Sequence, residues 1–199
     1  MLCDVLVELG RQRVPAFFPF LDDARWFVIR NIVFILGRIG DPAALPRLVP
    51  LLQHAEPRVR QETAQALGYL RDTRSVIALG NALQDADEVT RSIAAFSLGK
   101  IGTPNALAHL LQTVQSREFR KKNPVEMKAF FDGLGLTGAT GAVPVLAQLL
   151  QFHPLFGRDK AELIRRGAAE TLAMIGTPAA LAVLHEGSRA PDAAVRQAC

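Results

Sequence analysis

The sequence predicts an all-α protein, an α-solenoid superhelix of stacked antiparallel helical hairpins, and three observations carry that prediction. The first is composition: 199 residues, 49% hydrophobic but only 7% aromatic, with Ala, Leu, Gln and Arg plentiful and β-branched runs few, a balance that favours helices over sheets. The second is a recurring Leu-Gly pair: Leu9-Gly10, Leu36-Gly37, Leu67-Gly68, Leu98-Gly99 and Leu134-Gly135, with Leu172-Ala173 as a sixth, imperfect member, at intervals of 27, 31, 31, 36 and 38 residues. The third is another marker in phase with it. Val14-Pro15 through Leu21 matches Leu45-Pro46 through Leu52 at an offset of 31, and Val143-Pro144 with Leu149-Leu150 repeats most of the pattern. A fixed period of this length is the mark of a repeat architecture.

The units run approximately 1–10 (partial), 11–40, 41–71, 72–102, 103–138, 139–176 and 177–199 (partial), forming one solenoid. Residues 2–10 read as the second helix (B) of a hairpin, and both ends read as cut from a longer array. In the unit from 41, Asp41-Pro42 supplies an N-cap with proline at the first helical position, and Leu45, Leu48, Val49 and Leu52 form the stripe of helix A. A break at 54–57 precedes helix B, with Val59, Ala64, Leu67 and Leu70 as its apolar face. The next unit repeats this with Ala78, Leu79 and Leu83, a turn at 85–87, then Ile93, Ala94, Leu98 and Ile101. Neighbouring hairpins must stack to complete each core. The marker glycine fits that stack, because its missing side chain allows close approach of the following unit. Pro15, Pro46 and Pro144 recur in phase inside helix A and predict a kink built into the unit.

With GDPAALPRLVPLL, PRVRQETAQALGYL and DADEVTRSIAAFSLGKIG on the page, the chain resembles HEAT repeats, particularly the short bacterial kind grouped with the phycobilisome-lyase HEAT-like repeats. The resemblance covers nearly the whole chain. It implies a fold, whereas function must be argued from a site. Deoxyhypusine hydroxylases of this architecture bind iron through several His-Glu pairs on equivalent helices; this sequence has one pair, His185-Glu186. His54, His109 and His153 lack acids or cysteines at helical ligand spacing. HEAT-like DNA glycosylases place an acid and tryptophans in a concave cleft; Trp26 is the only tryptophan, and the nearby Asp22 and Asp23 read as caps of helix B. No motif marks bilin attachment, and Gly133, Gly135, Gly138 and Gly141 read as a close-packed turn between units. No catalytic, cofactor-binding or metal-binding residue is therefore expected, and no cofactor.

Arg60, Arg91 and Arg165 each stand eight residues before the marker, and Asp85 stands six before Arg91, the spacing of an Asp-Arg ladder. His54 occupies the corresponding place before Arg60 and predicts a gap in the ladder there. The two long units carry their excess between helices A and B, at 116–124 (SREFRKKNP) and 152–160 (FHPLFGRDK), and insertions in solenoids collect on one edge. Residues 1–100 hold 12 Lys+Arg and 11 Asp+Glu, residues 101–199 hold 11 and 8, so three of the net four positive charges fall in the second half.

The expected function is a non-catalytic scaffold that binds a protein or a neighbouring domain of the same chain. Its contacts are expected at Trp26, Arg30, Asn31 and Phe34 near one end, and at Arg120, Lys121, Lys122, Lys128, Arg158 and Arg166 toward the other. A nucleic-acid-binding module, motivated by a pI near 9.5, ranks second, and a HEAT-like lyase or other enzyme third. Cys3 and Cys199 lie at opposite ends, which excludes a disulfide framework and fits a cytoplasmic protein. No membrane span is expected, since the apolar stretch from Phe27 to Leu36 carries Arg30 and Asn31 and falls short of the roughly 20 residues a span needs.

Overall fold

The computed structural model describes residues 2–153 and 158–199, without the side chains of residues 2–4 and 158. The chain divides into two compact units, Met1–Ile101 and Gly102–Cys199. Every regular element among the described residues is helical, so the all-α solenoid class holds.

In the first unit, α1 (Leu2–Gly10), α2 (Trp26–Ile39), α4 (Pro57–Leu70) and α6 (Glu88–Ile101) are the B-type helices, each packed on the next. Between them run the A-type segments: a 3-10 helix over Val14–Asp22, a mixed run from Pro42 to Gln53 that contains the four-residue α3 (Leu45–Leu48), and α5 (Val76–Ala82). The prolines do something other than kink a helix. Pro15 starts its 3-10 helix, and Pro46 falls at the start of α3 after a 3-10 turn. Pro19 and Pro50 lie in 3-10 stretches. Proline has no N–H to give to the carbonyl four residues back, so the backbone alternates between 3-10 and α patterns instead of bending one continuous α-helix.

The second unit repeats the scheme with α7 (Pro104–Gln115), α9 (Val143–Leu150) and α11 (Pro178–Ser188) as A-type helices, against α8 (Pro124–Leu136), α10 (Arg158–Ile175) and α12 (Ala193–Ala198) as B-type helices. Pro144 again opens a helix, after a 3-10 turn over Thr140–Ala142. The cores are the inward stripes of both helix types, including Leu36, Leu48, Leu67, Leu79 and Leu98 in the first unit and Leu110, Phe130, Leu134, Leu146 and Leu172 in the second, all fully buried.

The marker glycines lie where B helices touch. A methyl group on Gly37 would stand 2.7 Å from the Cβ of Ala66, and one on Gly68 would stand 2.4 Å from the Oγ of Ser97. Ser97 uses that closeness to donate to the carbonyl of Ala64 at 2.8 Å, joining α6 to α4.

The arginine ladder is present, with a different pairing from the one the spacing predicts. Arg60 spends one nitrogen on the carbonyls of His54 and Ala55, six and five residues back, closing its own A–B turn. Its other edge, Nε and Nη2, reaches forward to Asp85 of the following turn at 2.8 and 2.7 Å. Arg91 closes its own turn in the same way on the carbonyls of Asp85 and Ala86. The rung therefore joins an arginine to the acid of the next hairpin, and His54 before Arg60 leaves no gap at Arg60.

Candidate functional site

On the B-helix face of the first unit, the i, i+3, i+4, i+7 positions of α4 place Arg58, Gln61, Glu62 and Gln65 in one row. Trp26 and Arg30 face them from α2 and Ile93 from α6, around a groove of about 440 Å³. Glu62 is the most enclosed charged residue of the groove. Its side chain is 13% exposed, and the Arg30 Nε donates to its Oε2 at 3.4 Å. Burial pushes the Glu62 carboxyl above the ordinary glutamate range, against the opposing pull of Arg30. The Arg58 guanidinium lies 5.0 Å from the centre of the Trp26 ring, within cation–π range. Gln61 ties α4 to α6 by donating to Asp87 at 2.9 Å. A carboxyl that keeps its proton to higher pH than an ordinary glutamate, flanked by a flat apolar ring, can share a proton with a bound amine or hydroxyl group.

Of the residues expected at this end, Trp26 and Arg30 line the groove. Asn31 is exposed beside it, and Phe34 is half-buried with Arg38 over its ring at 5.9 Å. The sequence reading missed Glu62. It stands six residues before the marker Gly68, outside the positions that the period singles out. A glutamate among the near-core positions of α4 was the available signal.

The basic residues of the second unit are largely met by their own neighbours. Lys121 pairs with Glu118 at 2.7 Å, Lys128 with Asp132 at 2.7 Å, and Arg166 approaches Glu170 at 3.9 Å. Arg120 lies 4.3 Å above the Phe152 ring. Lys122 is turned inward onto the buried carboxylate of Glu126, and Lys160 donates to the Lys122 carbonyl. Lys128 and Arg166 line a shallow groove of about 340 Å³ between α8 and α10, floored by Met127, Phe131 and Leu163. The Arg158 side chain and residues 154–157 of the second insertion lie outside the described residues. The first insertion contributes to the core instead of standing free: Phe119, fully buried, meets Phe130 and Phe131 edge-on at 5.6 and 5.7 Å.

The residues present do not fit an iron site built on His-Glu pairs. His185 and Glu186 are exposed on α11, an A-type helix. His54 accepts from the Glu56 N–H, and His153 faces Asp192 at 2.9 Å. Among the described residues no three His, Cys, Asp or Glu side chains converge as metal ligands.

The chain is 38% identical over 79 residues to the deoxyhypusine hydroxylase of Eremothecium gossypii, covering 39% of this chain and 24% of that protein. It is 31% identical over 104 residues to the deoxyhypusine hydroxylase of Gallus gallus, covering 51% and 33%. This chain thus matches about a quarter to a third of the length of these relatives. Among solved structures, the complex of CpcE and CpcF of phycocyanin lyase from Nostoc superposes with a TM-score of 0.63 at 21% identity, over 92% of this chain and 73% of that one; this is a likeness of fold. The curated relatives are named as enzymes, which overturns the expectation of a non-catalytic protein-binding scaffold. The HEAT-repeat family profile matches residues 14–95, 45–123 and 118–199, nearly the whole sequence, and the chain belongs to the HEAT-repeat family.

Proposed function

We propose that this chain is the HEAT-repeat segment of an enzyme of the deoxyhypusine hydroxylase kind, and that the groove around Glu62 receives an amine-bearing side chain as substrate. The sequence likeness to enzymes of that name supports the reaction class. The observation that carries the site is the half-buried Glu62 carboxyl facing Arg30 and Trp26 in one groove. An ammonium group entering the groove meets the Glu62 carboxylate while its alkyl stem lies along the indole and Ile93, a pairing that strengthens in a partly desolvated site. Since the described residues do not fit an iron site, the chain's own contribution is to bind and orient the substrate. Within the family we place the repeats with the short bacterial type grouped with phycobilisome lyases, and we place the protein in the reducing cytoplasm on its cysteine usage.

Calorimetric titration with a deoxyhypusine-bearing peptide tests the site. Glu62→Gln should weaken binding by about tenfold or more, the usual loss for a hydrogen bond to a charged group. Trp26→Ala should weaken it as well. Affinity unchanged from the parent in both variants, or no binding to the parent chain, would overturn the assignment. Gain of one oxygen atom on the peptide, read by mass spectrometry with the full-length protein, tests the reaction class separately.

A further inference from the structure

Among the described residues of the second unit, one buried cation lacks its counterpart. Arg165, 7% exposed, gives one guanidinium nitrogen to the carbonyl of Phe152 at 2.8 Å, closing its turn as Arg60 does. Its Nε is buried and has no acceptor among the described residues. Arg60 shows what that edge does elsewhere, giving Nε and Nη2 together to Asp85. Register explains the difference. Asp85 stands six residues before Arg91, whose guanidinium binds the Asp85 and Ala86 carbonyls. In the last hairpin Arg196 binds the carbonyls of Ala190 and Pro191 in the same way, so Ala190 occupies the place of Asp85. The chain keeps the arginine and supplies a methyl group where the acid belongs. Beside it, Glu162, Arg165, Arg166, Ala194, Gln197 and Ala198 line a recess of about 220 Å³ between α10 and α12.

A buried guanidinium with an unused nitrogen is costly to leave unpaired, and its planar fork matches a carboxylate in two-point geometry. We propose that this recess is a binding site for a small carboxylate: the Arg165 fork, whose Nε has no open surface as it stands, turns toward the recess and forms there the pair that Asp85 completes on Arg60. Arg166 adds a second positive charge at the mouth, while the Gln197 amide and Glu162 can take a polar group carried next to the carboxylate. The limited volume favours a metabolite-sized acid over the side chain of a folded partner. The site is separate from the groove around Glu62, and its test does not depend on that reading.

The test is a titration of the full chain with acetate and with glutamate, using chloride at matched ionic strength as the reference. The readout is the Nε–H resonance of Arg165 in nitrogen-proton spectra, assigned by its loss in Arg165→Lys. A saturable shift with the carboxylates and none with chloride is expected. Ala190→Asp should supply the acid from within, raising the unfolding midpoint by about 2–4 °C for a chain of this size and abolishing the response, whereas Ala190→Asn should keep it. Absence of a saturable shift, or a response that survives in Ala190→Asp, overturns the proposal. A response to an aspartate-bearing peptide alone overturns its small-ligand form.

Discussion

Gly37 and Gly68 show how one residue's missing atoms set the spacing of a helix pair. In an exposed helix, replacing glycine by alanine gains about 1 kcal/mol of propensity. Here the added methyl would sit 2.7 Å from Ala66 or 2.4 Å from the Ser97 hydroxyl, and overpacking of this kind costs about 1–3 kcal/mol. Gly37→Ala and Gly68→Ala should therefore destabilise, and chemical denaturation reads the sign; a gain would mean that the B helices can separate without loss. Leu98, fully buried on α6, should cost about 2–5 kcal/mol when cut to alanine. Glu62 contributes in the opposite sense at neutral pH. Its folded carboxyl is held above the unfolded value by burial, so its contribution is most favourable below the unfolded pKa and is lost as pH rises through the folded one. Glu62→Gln should then be more stable than the parent at neutral pH, with the difference disappearing in acid. Equal melting temperatures across that range would remove the burial argument. The glycine rows were legible from periodicity alone, because helix contact needs only register. Glu62 was not, because its character comes from burial in a groove that Trp26 and Arg30 line from another helix.

At the scale of elements, the period also reveals an exception. Three residues after the last five markers, Gly37 through Ala173, stand Gly40, Arg71, Gly102, Gly138 and Gly176, and each has positive φ, from 51° at Arg71 to 76° at Gly40. These are left-handed turns that close B helices, a conformation costing a residue with a side chain about 1–2 kcal/mol. Arg71→Gly should relieve part of that cost and raise the melting temperature; a drop would show that the arginine side chain outweighs the strain. The first insertion gives a second test. Its charges pointed to a binding edge, yet Phe119 anchors it under Phe130 and Phe131. Phe119→Ala should cost about 3–5 kcal/mol, the usual loss for a buried aromatic, where a free-standing loop would lose almost nothing. Hairpin order, caps and core stripes could be read from the sequence because they are local or periodic. The direction of the Arg60–Asp85 rung and the inward turn of Lys122 could not, since spacing shows which residues recur and not which neighbour each one faces.

At the scale of the whole molecule, the net charge of +4 raises the question of a polyanionic partner. Binding driven by phosphates depends on cations that release counterions from the nucleic acid, so a lysine or arginine already held by a carboxylate contributes little. Arg25 is held by Asp23, Arg47 by Asp22, Arg60 by Asp85 and Arg74 by Asp72. Arg25 draws the Asp23 carboxyl down to about 2 through its side-chain and backbone hydrogen bonds, so that pair stays charged on both sides at any physiological pH. In the second unit Lys121, Lys122 and Lys128 have Glu118, Glu126 and Asp132. Positive charge is thus interleaved with negative charge residue by residue, and a continuous basic track of the kind a duplex follows does not form along these pairs. A generic duplex should give no gel shift at micromolar protein in low salt. A shift that weakens steeply as salt rises would show that these pairs open to the phosphates, and would restore nucleic acid as a partner.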